Sequence, residues 1–371
     1  MTVAFEVTPQ GPSVLERLAS TSGTRGAQDL RQRLANLGRW VRADLVEFEA
    51  ELATLPKGAR VVQKAAHHLL DLRGKHLRPL CVALASRFGD GFTPRARGLA
   101  VAVELVHTAT LLHDDVVDVA ERRRGKPVAA VVYGNAASIF AGDWLLVAAL
   151  RRIATSGVDG VLDRMLAVID EMILAESLQL ERRGRIVADR EEYFRIVEGK
   201  TAALFRWAMF AGARCADLDA KQEAALERYG VHLGVAFQAV DDELDFAGFA
   251  DAEPSDETGK DPLVDLREGK MTFPLIVALE REPALHARIE AVLPEMERDD
   301  FTSARGADET ANVVELTAIA NAVRATGALA ATRELAEQHV QLALDALADL
   351  PAGTARESLE TVALASLERQ S

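Results

Sequence analysis

Two segments of this 371-residue chain end in the same acidic signature, and no other feature restricts the fold so strongly. Leu105 to His113 is largely apolar at helical spacing and closes as Asp114-Asp115-Val116-Val117-Asp118. Phe237 to Val240 leads in the same way into Asp241-Asp242-Glu243-Leu244-Asp245. Positions i and i+4 lie on one helix face, so Asp114 and Asp118 project together, as do Asp241 and Asp245. Asp115 and Asp242 then sit about 100° around the axis. Like charges at this spacing destabilise a helix by roughly 0.2–0.5 kcal/mol per pair. A single such segment reads as a solvated acidic helix end. Two copies, each joined to an apolar run, predict helices that face each other across one cavity. Oxygen-only ligands suit Mg²⁺, which keeps several waters and bridges carboxylates to substrate phosphates.

The rest of the chain agrees with a helical scaffold. Leu34, Leu37, Val41, Leu45 and Phe48 form one apolar stripe. Gly and Pro clusters such as Pro56-Lys57-Gly58, Gly89 to Pro94 and Gly157 to Gly160 punctuate the sequence between helix-length segments. Val128 to Tyr133 has strand propensity, but Pro127 and Gly134 bound it in helical surroundings. The sequence therefore predicts an all-α bundle with no sheet. No linker or charge break divides the chain, so residues 27–371 read as one domain behind a flexible leader, 1–26, rich in Gly, Pro and Ser. Phe249 to Thr258 and Arg298 to Glu309 read as surface loops.

A net charge of −14 argues against nucleic-acid binding. Cys81 and Cys215 are too few for a disulfide framework or a thiolate zinc site, and suit a reducing compartment. The start of the chain lacks signal-peptide character, and no apolar run reaches the roughly 20 residues of a membrane span. These features predict a cytoplasmic protein without a stable membrane anchor.

Polyphosphate binding requires cations near the acids, and the sequence supplies them. Gly74-Lys75-His76-Leu77-Arg78-Pro79 stands at a helix start, where backbone N–H groups also favour anions. Arg122-Arg123-Arg124-Gly125-Lys126-Pro127 follows the first motif, and Lys200-Thr201 precedes an apolar helix. Gly259-Lys260-Asp261 and Gly269-Lys270 follow the second motif. Any one basic cluster is more often a solvated surface. Their placement beside both acidic motifs carries the functional reading.

In order and wording these segments resemble the trans-type isoprenyl diphosphate synthases, or polyprenyl synthetases. The resemblance is carried by Gly74 to Pro79, Glu104 to Asp118, Arg123 to Pro127, Gly134 to Asp143, Glu176 to Gln179, Gly199 to Ala202, Gln238 to Asp245 and Gly269 to Pro274. It implies a single-domain isoprenoid synthase (terpenoid synthase) helical bundle around a central cavity. It also implies Mg²⁺-dependent head-to-tail condensation of isopentenyl diphosphate with an allylic diphosphate. By the same resemblance, Asp114 and Asp118 hold two Mg²⁺ ions and Asp241 a third, supported by Asp115, Asp242 and Asp245. Arg123, Lys200 and Lys260 hold the allylic diphosphate, and Lys75, Arg78, His107 and Arg124 hold isopentenyl diphosphate. Lys270 joins the substrate-binding cations, while Thr201 and Gln238 stabilise the developing allylic cation. A homodimer is also implied.

Three departures stand out. His76 occupies a position where the family usually has Arg. The loop between Asp245 and Lys260 is longer than usual, and Asp261 and Leu263 stand where Pro and Gly are common.

In such enzymes a bulky aromatic just before the first motif blocks the elongation tunnel. Here Ala109 and Thr110 are small, and Val106 lies on the next turn down. One helical turn rises about 5.4 Å, close to one isoprene unit, so the resemblance predicts a product longer than geranylgeranyl, between hexaprenyl and nonaprenyl. The alternatives are a short-chain synthase, in which the small residues only permit close helix packing, a non-catalytic subunit of a heteromeric synthase, and a terpene cyclase. The cyclase fits poorly, because the second motif is Asp-Asp-x-x-Asp and the isopentenyl-binding residues are present.

Overall fold

The computed structural model describes residues 25–72, 74–247, 263–293 and 309–368. The first helices are α1 (Arg25–Leu52), α2 (Val61–Leu70), α3 (Leu77–Ser86) and α4 (Pro94–Val117). After a two-stranded hairpin come α5 (Ala129–Tyr133), α6 (Asn135–Ala154), α7 (Val161–Arg182) and α8 (Arg190–Val197). One π-helical turn, Glu198–Ala202, leads directly into α9 (Ala203–Cys215), followed by α10 (Ala220–Ala247). The C-terminal part holds α11 (Val264–Arg267), α12 (Phe273–Arg281), α13 (Leu285–Glu290), α14 (Glu309–Ala325), α15 (Ala328–Ala346) and α16 (Thr354–Leu367).

The all-α expectation holds with one correction. Arg122–Arg123 and Lys126–Pro127 pair antiparallel, with Arg122 opposite Pro127 and Arg123 opposite Lys126. Arg124 and Gly125 both take positive φ (52° and 73°), the conformation of a tight hairpin turn, so the basic run folds back on itself. Val128 to Tyr133 is helical from Ala129 onward, as its surroundings required. The expected loop 249–258, residues 298–308 of the second expected loop, and residues 1–24 of the expected leader lie outside the described residues.

Local chemistry sets the helices that matter for function. Thr93 caps α4 by accepting from the Ala96 amide (3.4 Å), and Pro94 occupies the first turn, where no amide partner is needed. From that start the helix runs buried through Leu99 to Leu105 and ends at the first acidic motif. α9 is the hub: it packs on α3, α4, α7 and α10, and its Trp207 is fully buried with Nε1 donating to the Val161 carbonyl (3.0 Å). α10 is tied to the C-terminus by Tyr229, whose hydroxyl donates to the Leu359 carbonyl (2.8 Å).

Two glycines let the π turn wedge between its neighbours. A Cβ on Gly199 would lie 2.7 Å from the Ala175 Cβ of α7. One on Gly234 of α10 would lie 2.5 Å from the Ala202 Cα. Contacts this close fix the height at which Lys200 and Thr201 emerge. Among the described residues, no helix is long and apolar enough to cross a membrane.

Candidate active site

Each aspartate of the first motif has a different environment. Asp115 is 1% exposed; its Oδ1 accepts from Arg123 Nε (2.9 Å) and Nη2 (2.8 Å), while its buried Oδ2 takes no hydrogen bond. Asp118 is gripped on both oxygens. Lys270 Nζ lies 3.0 Å from Oδ2, and Arg183 pairs with Oδ1 while also donating to the Val117 carbonyl (3.2 Å). Burial opposes ionisation of Asp118, but Lys270, Arg183 and Lys200 outweigh it and hold its pKa below the ordinary value. Asp114 goes the other way. Burial raises its pKa to about 6; Lys200 and Lys270 oppose the rise, and Glu176 and Asp118 add to it.

In the second motif Asp242 points into the protein. It is 1% exposed and accepts from the Tyr193 hydroxyl (2.8 Å), Gln238 Nε2 (2.8 Å) and the Phe273 amide (3.4 Å). Burial, with Asp265 adding to it, pushes its pKa up to about 8. Asp242 therefore anchors α10 to α8 and α12, and Asp241 and Asp245 are left as the half-buried pair on the adjoining face. Gln238 also accepts from the Thr201 hydroxyl (2.9 Å), which ties the second motif to the π turn. Lys200 beside it pairs with Glu176 and donates to Gln179 (2.9 Å) on α7. A cavity of about 130 Å³ opens here, lined by Gln179, Tyr193, Lys200, Thr201, Gln238 and Lys270.

The cations of the Gly74–Pro79 segment gather at the start of α3. The Arg78 guanidinium stacks over the Phe205 ring at 4.5 Å, and its buried Nε takes no hydrogen bond. Burial lowers its pKa to about 10, against the pull of Glu104 and Asp241. His107 is held neutral, its pKa lowered to about 3 by burial and by Arg78. Arg124 reaches across from the hairpin to the Leu72 carbonyl (3.3 Å). Arg123 and Arg124 thus serve different places: one holds Asp115, the other reaches Leu72 and the bare backbone at Gly74 beside Glu104.

Val106 and Ala109 are buried in the core, while Thr110, one turn before Asp114, is half-buried and donates its hydroxyl to the His107 carbonyl (2.8 Å). Lys260 lies outside the described residues.

Sequence reasoning missed Arg183, Tyr193 and Glu268, which pairs with Lys270 at 2.6 Å. Arg183 follows the last turn of α7, and a second Arg at 182 was its only signal. Tyr193 and Asp242 are 49 residues apart, so no local pattern announces their contact.

The residues fit a hard divalent cation. All candidate ligands are carboxylate oxygens, and Asp115 Oδ2 is buried without a partner. Among the described residues no three His, Cys, Asp or Glu converge as a ready-made cage.

A helical bundle with two acidic helix ends flanking one hub helix, and buried cations around them, defines an all-α isoprenoid synthase. Comparison with known proteins makes the assignment specific. The Polyprenyl synthetase family profile matches residues 59–305. The chain is 34% identical over 321 residues to the octaprenyl diphosphate synthase of Escherichia coli strain K12, covering 86% of this chain and 94% of that one. It is 30% identical over 320 residues to heptaprenyl diphosphate synthase component 2 of Bacillus subtilis, covering 86% of each. The crystal structure of a polyprenyl synthase from Caulobacter crescentus CB15, complexed with calcium and isoprenyl diphosphate, superposes with a TM-score of 0.80 at 33% identity. That match covers 90% of this chain and 97% of that chain. The chain belongs to the polyprenyl synthetase family and is a prenyltransferase.

Proposed function

We propose that this prenyltransferase condenses isopentenyl diphosphate head-to-tail with an allylic diphosphate and repeats the step beyond geranylgeranyl. One observation carries the reading: two separate groups of cations flank the acids. Arg123, Lys200 and Lys270 lie against the carboxylates of the first motif and Glu176, whereas Arg78, Arg124 and His76 gather around Glu104 at the start of α3, where Lys75 stands next in sequence. Two diphosphates can be held at once. A single-substrate cyclase needs only one such place.

Asp114, Asp118 and Asp241 would hold Mg²⁺, three ions in all, with Asp115, Asp242 and Asp245 in support. Mg²⁺ supplies neutralisation of the charge that builds on the departing diphosphate. Lys200, Arg123 and Lys260 bind the allylic diphosphate, and Lys270 adds a further cation. The allylic C1–O bond breaks with its electron pair leaving on diphosphate. Thr201 and Gln238 orient their oxygens towards the cation that remains. Lys75, Arg78, His107 and Arg124 hold isopentenyl diphosphate so that its double bond forms the new bond to C1. The proton then released from C2 passes to the departed diphosphate, so no protein nucleophile is consumed.

Small residues at Ala109 and Thr110, with Val106 a turn below, leave the path of the growing chain free of aromatic side chains on α4. The octaprenyl and heptaprenyl relatives favour the same product class. We place the enzyme in the cytoplasm, as its two free cysteines suggest, and as a homodimer. Incubating the purified chain with Mg²⁺, a farnesyl diphosphate primer and isopentenyl diphosphate, then identifying the products by mass spectrometry, tests the reading. Hexaprenyl to nonaprenyl products are expected. A dominant geranylgeranyl product overturns the chain length, and turnover that requires a second, different subunit overturns the homodimer.

A further inference from the structure

The basic cluster at the start of α3 contains one cation that can be switched off. Among Lys75, His76, Arg78 and Arg124, only the histidine is a residue type whose charge ordinarily changes in the neutral range. His76 precedes α3 in a left-handed conformation (φ 44°, ψ 34°), with Nδ1 3.0 Å from Glu104 Oε1. The Phe48 ring packs against it at 5.2 Å, edge to face. A Cβ on Gly74 would lie 3.1 Å from Glu104 Oε1, 3.6 Å from Arg124 Nη2 and 3.7 Å from His76 Cε1. His76, Glu104 and Arg124 therefore converge on one bare stretch of backbone.

The charged groups that face His76 are Glu104 from α4, Glu49 from α1 and Arg124 from the hairpin; Arg78 and His107 act on it through Glu104. Burial opposes the imidazolium and Arg124 repels it, but Glu104 and Glu49 outweigh both, so its pKa is raised above 6.5. His107, already neutral, cannot supply a second titration in this range.

We propose that His76, oriented by Glu104, is a proton-dependent contact for isopentenyl diphosphate. As imidazolium it gives Nδ1–H to Glu104 and keeps Nε2–H and its charge for a diphosphate oxygen. As neutral imidazole it loses the charge and one of the two donors. This rests on the assignment of the cluster to isopentenyl diphosphate. It predicts that affinity for that substrate falls as pH rises, while affinity for the allylic diphosphate, held by Lys200 and its neighbours, does not follow.

The test is the KM of each substrate measured from about pH 6 to about pH 9 for the wild type, His76→Gln, His76→Arg and Lys75→Ala. The ionisation of isopentenyl diphosphate itself is common to all four. The wild-type KM for isopentenyl diphosphate is expected to rise about tenfold beyond that common part, the ratio carried by one charge-assisted hydrogen bond. His76→Gln should show the high value at every pH, and His76→Arg the low one. A His76→Gln enzyme that keeps the wild-type slope overturns the inference, and this variant decides alone if the longer Arg does not fit beside Glu104. Lys75→Ala separates the two levels. If that variant, folded by circular dichroism, leaves the KM for isopentenyl diphosphate unchanged, the site assignment fails and the inference with it. If it raises that KM while His76→Gln keeps the wild-type slope, only the inference fails.

Discussion

Glu104 is 5% exposed in the middle of α4, yet it remains ionised. Burial alone would protonate it; His76, by charge and hydrogen bond, and Arg78 reverse that and hold its pKa down to about 2, against 4.5 for an ordinary glutamate. A carboxyl with a lowered folded pKa contributes stability that is fully present above its unfolded pKa. That contribution is lost as pH falls from 4.5 towards 2. The raised pKa of His76 works in the opposite sense: its share is fully present below 6.5 and is lost as pH climbs through the folded value. The pair therefore contributes most between pH 4.5 and pH 6.5. Glu104→Gln should lower stability in that window by on the order of 3 kcal/mol, since it also leaves Arg78 less well compensated. Thermal unfolding of wild type and variant from about pH 3 to about pH 8 measures it, and the two curves should converge at the acid end. Curves that stay parallel throughout would show that Glu104 carries no such linkage.

At the scale of elements, the π turn Glu198–Ala202 does most to shape the site, because it sets Lys200 and Thr201 between α7 and α10. Its position depends on an absent methyl group. Gly234→Ala would put Cβ 2.5 Å from the Ala202 Cα, a backbone atom that cannot yield without moving the turn. A loss of about 1–3 kcal/mol is expected, together with a raised KM for the allylic diphosphate as Lys200 and Thr201 shift. Gly98→Ala in α4 is the matched control. Its Cβ would meet only Glu51 Oε1, at 3.9 Å, so the gain in helix propensity should leave the protein equally or more stable. Equal behaviour of the two variants in denaturant melts and substrate kinetics would rule out the wedge.

The same elements explain what could be read without a structure. The acidic helix ends were legible because an i,i+4 pattern is local, and so were the cations that follow each motif within a few residues. The contacts that give each acid its task join Arg183 to Asp118 across 65 residues and Lys270 to the same carboxylate across 152, beyond the reach of any local period. The inward turn of Asp242 depends on Tyr193 and Phe273 in the same way. The hairpin was missed because its turn is Arg124-Gly125, where a positive φ at a bulky residue contradicts propensity.

For the molecule as a whole, the unresolved economy is apolar surface. On α6, Ile139 (40% exposed), Phe140 (60%) and Val147 (49%) share one face, and on neighbouring α7 Leu166 (49%), Ile173 (62%) and Leu174 (62%) do the same. Within each helix these positions fall inside about 100° of arc, with the exposed Asp143 and Asp170 set among them. Exposed large apolar side chains grouped on two neighbouring helices suit a contact between copies of the chain, in which the two aspartates would lie at the rim or pair across it. Both stripes come from helices that also reach the site: α7 carries Glu176 and Gln179, and α6 packs along α4. A second copy of the chain seated there would stiffen the walls that hold the substrates. Phe140→Glu combined with Ile173→Glu should therefore convert a dimer into the 40.1 kDa monomer in light scattering behind size exclusion, and turnover should fall with it. A wild-type chain that is already monomeric at assay concentration, or a double variant that stays dimeric, would remove this face as the contact between copies.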